Sequence, residues 1–179
     1  MMWSQDEYIR AYKFAAEAHN RQKLPGSELP YSVHPCLVSM EILAALRAEP
    51  GHDENLAVLA ALLHDVLEDT AVPFDALQAA FGEAVARGVL ALSKDKALPK
   101  AVQMADSLER IRQQPVEIWM VKLADRITNL APPPFYWTAE KIVQYQAEAR
   151  QILEALGNAS DFLAERLRQR IVAYEAYKK

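Results

Sequence analysis

The chain has 179 residues, enough for one domain with a sizeable core, and its apolar fraction of 51% and charged fraction of 25% are typical of a globular protein. Its formal net charge of −4 disfavours a nucleic-acid polymer as partner, because binding to many phosphates needs a basic surplus. A small anionic ligand stays compatible with that charge. The single cysteine, Cys36, excludes an intrachain disulfide and a cysteine-rich zinc site.

The sequence predicts neither a membrane span nor a secretory signal. The longest apolar run, residues 56–63, is too short to cross a bilayer. Residues 1–7 lack the basic start and the apolar stretch of a signal peptide. We therefore expect a cytoplasmic protein with no membrane partner, and the sequence carries no signal for its oligomeric state.

The chain begins with two predicted helices separated by a loop. Ser4 and Glu7 have the spacing of a capping box, which predicts a helix ending near residue 19. Two prolines and a glycine predict a loop at 20–33. Pro35 fits a first helical position, so the second helix is expected at about 35–48.

The third predicted helix, at about 55–68, is apolar nearly all round, which places it in the middle of the core. Asp53 or Asn55 can cap its start. No alternating strand pattern and no fixed-period repeat is found in the sequence, so the predicted fold class is all-α. The remaining helices are expected at about 74–81, 83–93, 101–113 and 115–130, with two closing helices capped by Thr138 and Ser160.

Histidine and acidic residues cluster at the end of the third helix. Burying the Asp65 carboxylate without a partner is strongly unfavourable, and a divalent metal shared with the adjacent His64 would satisfy it. Glu68 lies four residues after His64 and Asp69 four after Asp65, which predicts one shared helical face. The alternative is a capped helix end with solvated acids, although three acids there oppose the helix dipole.

Two further residues complete a candidate site of nitrogen and oxygen ligands. His34 precedes Pro35, which predicts an extended backbone and a fixed ring direction, although a lone histidine is also common as a cap or core residue. Asp125 lies in the helix at 115–130, with Asn129 four residues later on the same face. The alternative for Asp125 is a surface arrangement with Arg126.

The two histidines and two aspartates suit a borderline-hard divalent ion, Mn²⁺ or Fe²⁺ rather than Mg²⁺, with positions left for water. Zinc fits less well if the site exceeds four ligands. Such an ion lowers the pKa of its water and polarises a phosphoryl oxygen. Glu68 and Asp69 are then the candidates to orient or deprotonate the water.

A lysine-rich loop at 93–100 is a candidate for binding substrate phosphates. Lys94 and Lys100 are the two lysines that we single out, and Arg110 and Arg112 follow nearby in the sequence. A solvated loop without a ligand is the competing interpretation for such a run.

Three segments, in this order, resemble the hydrolase domain of the RelA/SpoT alarmone enzymes within the HD superfamily. They are YSVHP at 31–35, ALLHDVLEDT at 61–70 and VKLADRITNL at 121–130. The resemblance extends over about 8–155 and implies a single-domain helical bundle of the HD type over 1–179, with C-terminal helices at about 138–177. It corresponds in length to a free-standing small alarmone hydrolase.

The resemblance implies Mn²⁺-dependent removal of the 3′-diphosphate from guanosine 3′,5′-bis(diphosphate), ppGpp, with release of pyrophosphate. Family positions that bind the metal match His34, His64, Asp65 and Asp125. Family positions that activate water match Glu68 and Asp69, and the position matching Asn129 contacts the nucleotide.

The loop before the first segment departs from the family pattern. An Arg-Lys pair is usual there, and this chain has Leu24-Pro25, flanked by Arg21 and Lys23. Loss of a stacking guanidinium removes a cation–π contact and hydrogen-bond donors, so an adenosine analogue becomes a second candidate substrate. Arg21 and Lys23 stay candidates for substrate binding.

Two other functions are compatible with the sequence. A generic HD nucleotidase or phosphatase would act on another phosphorylated nucleotide and release orthophosphate. A nucleotide-binding helical module without activity would be marked by loss of a metal ligand or of the Glu68-Asp69 pair, and the sequence retains all of these.

Overall fold

The computed structural model describes residues 2–178, and all regular secondary structure within that range is helical. The predicted all-α fold is confirmed, while the outermost predicted domain residues, 1 and 179, lie outside the described range. The helices are α1 (Gln5–Ala18), α2 (Val33–Ala48), α3 (Glu54–Leu63), α4 (Val66–Asp69), α5 (Phe74–Phe81), α6 (Glu83–Leu92), α7 (Lys100–Arg112), α8 (Val116–Asn129), α9 (Ala139–Leu156) and α10 (Asp161–Tyr174).

Helix α3 lies in the middle of the bundle, as its apolar sequence predicts. It contacts α1, α2, α6 and α8, and every residue from Leu56 to Leu63 is buried. Helix α8 contacts α2, α3, α9 and α10. Because α2, α3 and α8 pack against one another, residues far apart in sequence meet where these three helices converge.

The predicted helix caps are confirmed, except for the second hydrogen bond of the capping box at Ser4 and Glu7. The Ser4 hydroxyl accepts the Glu7 N–H at 3.4 Å, but the Glu7 carboxylate binds Arg10 instead of returning to the Ser4 backbone, so only half of the capping box forms. Asp53 caps α3, and Asn55 instead accepts the Ser4 N–H from another helix. The other confirmed caps are Thr138 and Ser160.

The predicted continuous helix at 55–68 is wrong, because the chain turns at His64 and Asp65 between α3 and α4. The side chains of the turn contact residues of other segments, His64 at His34 and Asp65 at Tyr31. The prediction of an extended backbone at His34 is also wrong. Helix α2 begins at Val33, and Pro35 lies in its first turn, where a missing N–H costs no helical hydrogen bond.

The central placement of α3 predicts a large effect of a core substitution. Leu62 is buried, so Leu62→Ala is expected to lower the free energy of unfolding by about 2–5 kcal/mol, because a cavity replaces packed methyl groups. Urea denaturation followed by circular dichroism measures the change. Leu37→Ala, at an exposed position of α2, is the matched control and should cost less than about 1 kcal/mol. Equal costs would contradict the placement of α3.

None of the helices at 2–178 combines the length and the apolar character that a membrane span requires.

Candidate metal centre

Three helices bring two imidazoles and one carboxylate to one buried point. The Nε2 atoms of His34 and His64 lie 3.1 Å apart. The Oδ1 atom of Asp125 lies 3.3 Å from Nε2 of His34 and 3.7 Å from Nε2 of His64. One ligand atom from each of the three residues falls within 4.8 Å of the others, so the group could hold a divalent metal ion.

Asp65 adds a fourth potential ligand at the edge of this group. Its Oδ2 atom lies 2.9 Å from Nε2 of His64 and 3.5 Å from Nε2 of His34. The same oxygen accepts a hydrogen bond of 2.5 Å from the hydroxyl of Tyr31. Burial and the nearby carboxylates raise the pKa of Tyr31, so its hydroxyl stays protonated and acts as the donor.

The hydrogen bonds at the far side of each ring determine which nitrogen faces the centre. Nδ1 of His64 lies 2.8 Å from the Ala61 carbonyl, which only accepts, so Nδ1 carries the proton of the neutral ring. The Thr128 hydroxyl donates to the Asp125 carbonyl at 2.8 Å and can accept from Nδ1 of His34 at 3.4 Å. Both Nε2 lone pairs therefore face each other and two carboxylates.

With both rings neutral the centre contains only acceptors, so a cation, either a proton on His64 or a metal ion, has to balance them. Burial disfavours a protonated His64, but the Asp65 and Asp125 carboxylates outweigh burial and raise the pKa of His64 to about 9. Burial likewise opposes a charged Asp65, yet the His64 imidazole lowers the pKa of Asp65. The residues thus fit a divalent ion held by nitrogen and oxygen ligands, whose rings are oriented by outer hydrogen bonds.

Asp125 is held by donors on its own helix. Lys122 Nζ lies 3.2 Å from Oδ2, and the amide of Asn129 donates to Oδ1. Burial opposes a charged Asp125, but the Lys122 ammonium keeps its pKa well below the usual range. The alternative of a surface Asp125–Arg126 arrangement is wrong, since the buried Arg126 guanidinium lies 3.5 Å from Glu148 on α9.

Glu68 lies in α4, which follows the turn at 64–65. Its Oε2 atom accepts the Lys94 N–H at 2.8 Å and lines a groove of about 440 Å³ with Lys94 and Lys96. Burial raises the pKa of Glu68. Asp69 is exposed, and its Oδ1 lies 3.5 Å from Lys96 Nζ.

Three other basic residues in or near the lysine-rich loop differ in what their side chains contact. The Arg110 guanidinium binds the carbonyls of Leu90 and Ser93, each at 2.8 Å, so it closes the end of α6. Arg112 binds the Ala155 carbonyl. Lys100 starts α7 outside the residues that line the groove.

The two basic residues of the 20–33 loop, Arg21 and Lys23, are both exposed and have different neighbours. Arg21 lines a polar cleft with Asp69, about 420 Å³ in volume. Lys23 forms an ion pair with Glu28 in the same loop. Their part in substrate binding stays a prediction.

Comparison with known proteins decides the family. The family model of the HD domain matches residues 11–162. The chain belongs to the HD-domain family. The guanosine-3′,5′-bis(diphosphate) 3′-pyrophosphohydrolase MESH1 of Danio rerio is 34% identical over 167 residues, 90% of either chain. The Homo sapiens protein of that name is 30% identical over 90% of this chain and 91% of its own.

A solved structure supports the same assignment for this HD domain. It belongs to a metazoan orthologue of SpoT described as hydrolysing ppGpp, and it matches with a TM-score of 0.82 at 28% identity. The match covers 97% of this chain and 98% of the other. The predicted resemblance to RelA/SpoT-type hydrolases and the predicted HD-type helical bundle are confirmed.

Three residues at the site of this HD domain were not singled out from the sequence. Tyr31 belongs to the first family-like segment, three residues before His34. Lys122 lies three residues before Asp125, a spacing that predicts contact on one helical face. Lys96 lies in the lysine-rich loop, where sequence spacing carries no directional information.

Proposed function

We propose that this HD domain is a metal-dependent pyrophosphohydrolase that removes the 3′-diphosphate from ppGpp or from the adenosine analogue. The observation that carries the proposal is the convergence of the two imidazoles with two carboxylates at one buried point. The printed activities of the Danio rerio and Homo sapiens relatives support the substrate class. A cytoplasmic location stays a prediction.

The proposed metal ligands are His34, His64, Asp65 and Asp125. This donor set favours Mn²⁺, with Fe²⁺ or another divalent ion as the alternative. The ion would supply charge stabilisation to the phosphoryl oxygens and acidify the attacking water. Asn129 would contact the nucleotide through its amide oxygen or its second amide N–H, since the other N–H donates to Asp125.

The proposed role of Glu68 is to accept a proton from the attacking water, with Asp69 as an auxiliary acid near the groove. Attack occurs at the phosphorus bound to the 3′ oxygen. The bond between that phosphorus and the 3′ oxygen breaks, pyrophosphate retains the oxygen from water, and the 3′ oxygen takes a proton. Lys94 and Lys96 line the groove beside Glu68 and can neutralise diphosphate charge.

A panel of 3′-phosphorylated nucleotides with Mn²⁺ tests this function. We expect pyrophosphate as the product from both guanosine and adenosine 3′,5′-bis(diphosphate). Because Leu24-Pro25 offers no guanidinium to recognise the base, kcat/KM for the two should differ by less than about 100-fold.

The readouts are separate assays of pyrophosphate and orthophosphate, with a nucleoside 3′-monophosphate as the control substrate. Release of orthophosphate alone would favour a generic HD nucleotidase. A strong preference for the guanosine substrate would refute the effect on base selectivity that we assign to Leu24-Pro25. Absence of turnover with every nucleotide of the panel would contradict the proposed hydrolase activity.

A further inference from the structure

Tyr31 contacts the candidate metal centre from outside the ligand set. Its hydroxyl donates to Oδ2 of Asp65 at 2.5 Å, a short hydrogen bond to a carboxylate. This oxygen is the same atom that approaches the ring nitrogens of His64 and His34. The phenol group therefore fixes the oxygen through which Asp65 faces the centre.

The two carboxylates of the centre differ in how they are held. Asp125 lies within α8, where Lys122 and Asn129 both bind its oxygens. Asp65 lies in the turn between α3 and α4, and its side chain is 22% exposed. Within residues 2–178, the Tyr31 hydroxyl is the one hydrogen-bond donor found at the Asp65 carboxylate when the two facing Nε2 atoms carry no proton. Asp65 thus depends on Tyr31 for its orientation.

Tyr31 is itself held by contacts with two neighbouring rings and by a backbone hydrogen bond. Its ring centroid lies 4.7 Å from the ring of His19 and 5.6 Å from that of His34. Its N–H donates to the Gln22 carbonyl at 3.0 Å, which closes the loop at 20–33. The Gln22 side chain in turn bonds the Asp69 carbonyl at 2.5 Å. The loop is therefore attached at both ends of α4, at Asp65 and at Asp69.

We propose that Tyr31 is a positioning residue that orients the Asp65 carboxylate for metal binding and links the 20–33 loop to the metal centre. The inference rests on the proposed function, since it needs a metal at this centre. Outer partners of metal ligands fix the direction and the basicity of the ligand atom, and their loss typically weakens metal affinity or activity about 10- to 100-fold.

Tyr31→Phe tests the proposal because it deletes the hydroxyl and keeps the ring that contacts the two histidines. Isothermal titration of Mn²⁺ into metal-stripped protein should give a Kd about 10- to 100-fold higher than that of the unmodified chain. The value of kcat for ppGpp should fall, while KM changes less than about threefold, because the substrate-binding groups are untouched.

Tyr8→Phe is the matched control. It also deletes a partly buried tyrosine hydroxyl, which lies 2.9 Å from Ser39 Oγ, in a contact between α1 and α2 away from the centre. Its Kd for Mn²⁺ should equal that of the unmodified chain. The rise in Tm that Mn²⁺ produces gives a second reading of affinity for each variant, and circular dichroism verifies the fold.

A Kd for Tyr31→Phe within about threefold of the unmodified value would overturn the proposal. Weaker binding in Tyr31→Phe with normal binding in Tyr8→Phe would support it. Equal weakening in both variants would also overturn it, because the effect would then be a general loss of packing. If the unmodified chain binds no Mn²⁺, the proposed function itself fails, so the two failures are distinguishable.

Discussion

Replacing His64 by alanine is expected to abolish Mn²⁺ binding and hydrolysis of ppGpp while the helical fold persists. The imidazole is buried and its Nε2 atom lies within 3.7 Å of ligand atoms from three other residues. Its removal leaves both carboxylates with one fewer partner. Because loss of an outer partner alone weakens affinity by about 10- to 100-fold, loss of this ligand should weaken it by more than about 100-fold.

The measurements for His64→Ala are the Kd for Mn²⁺ by titration calorimetry, the initial rate of pyrophosphate release and the far-ultraviolet circular dichroism spectrum. His52→Ala is the control, since it removes an imidazole that lies beside Glu117 at the other end of α3. That variant should keep its metal affinity and its rate. Full activity of His64→Ala with Mn²⁺ present would refute the proposed centre.

Replacing Glu68 by glutamine should lower kcat by about 10²- to 10⁴-fold, the usual contribution of a positioned general base, with little change in the Kd for Mn²⁺. The amide keeps the size of the side chain and an oxygen to accept the Lys94 N–H. It cannot accept the proton of water. Metal affinity should persist because Glu68 is not among the proposed ligands.

The pH dependence gives an independent check on Glu68. Burial raises its pKa, so the active carboxylate is present above that pKa and is lost as the pH falls through it. The acidic limb of the kcat profile should therefore disappear in Glu68→Gln. Asp69→Asn, at an exposed position, should show a smaller loss of rate. Similar losses of kcat and of metal affinity in Glu68→Gln would assign this residue to the metal centre instead.

Features of the fold with a local physical cause are predictable from the sequence. Caps at Asp53, Thr138 and Ser160 follow from a side-chain oxygen and an N–H two or three residues later, so adjacent sequence contains both partners. The contact between Asp125 and Asn129 follows from helical spacing alone. The burial of α3 follows from its uniform apolar composition.

Features that depend on partners distant in sequence are not predictable in this way. The helix predicted through 55–68 turns at His64, and Asp65 bonds to Tyr31, 34 residues earlier in the chain. Glu68, four residues after His64, accepts the N–H of Lys94, 26 residues later in the chain. Helical periodicity contains no information on such partners, so it predicted an uninterrupted element.

The sequence by itself determined the helical class, most helix bounds and the residue types that can hold a metal, because periodicity, capping and ligand chemistry depend on neighbouring residues. Only the tertiary structure decided that these side chains meet and which atoms face the centre. The ring of His34 is oriented by Thr128, 94 residues away, and approaches Asp125 because α2 and α8 pack together. That arrangement depends on the packing of three helices in one core, a property that no single segment carries.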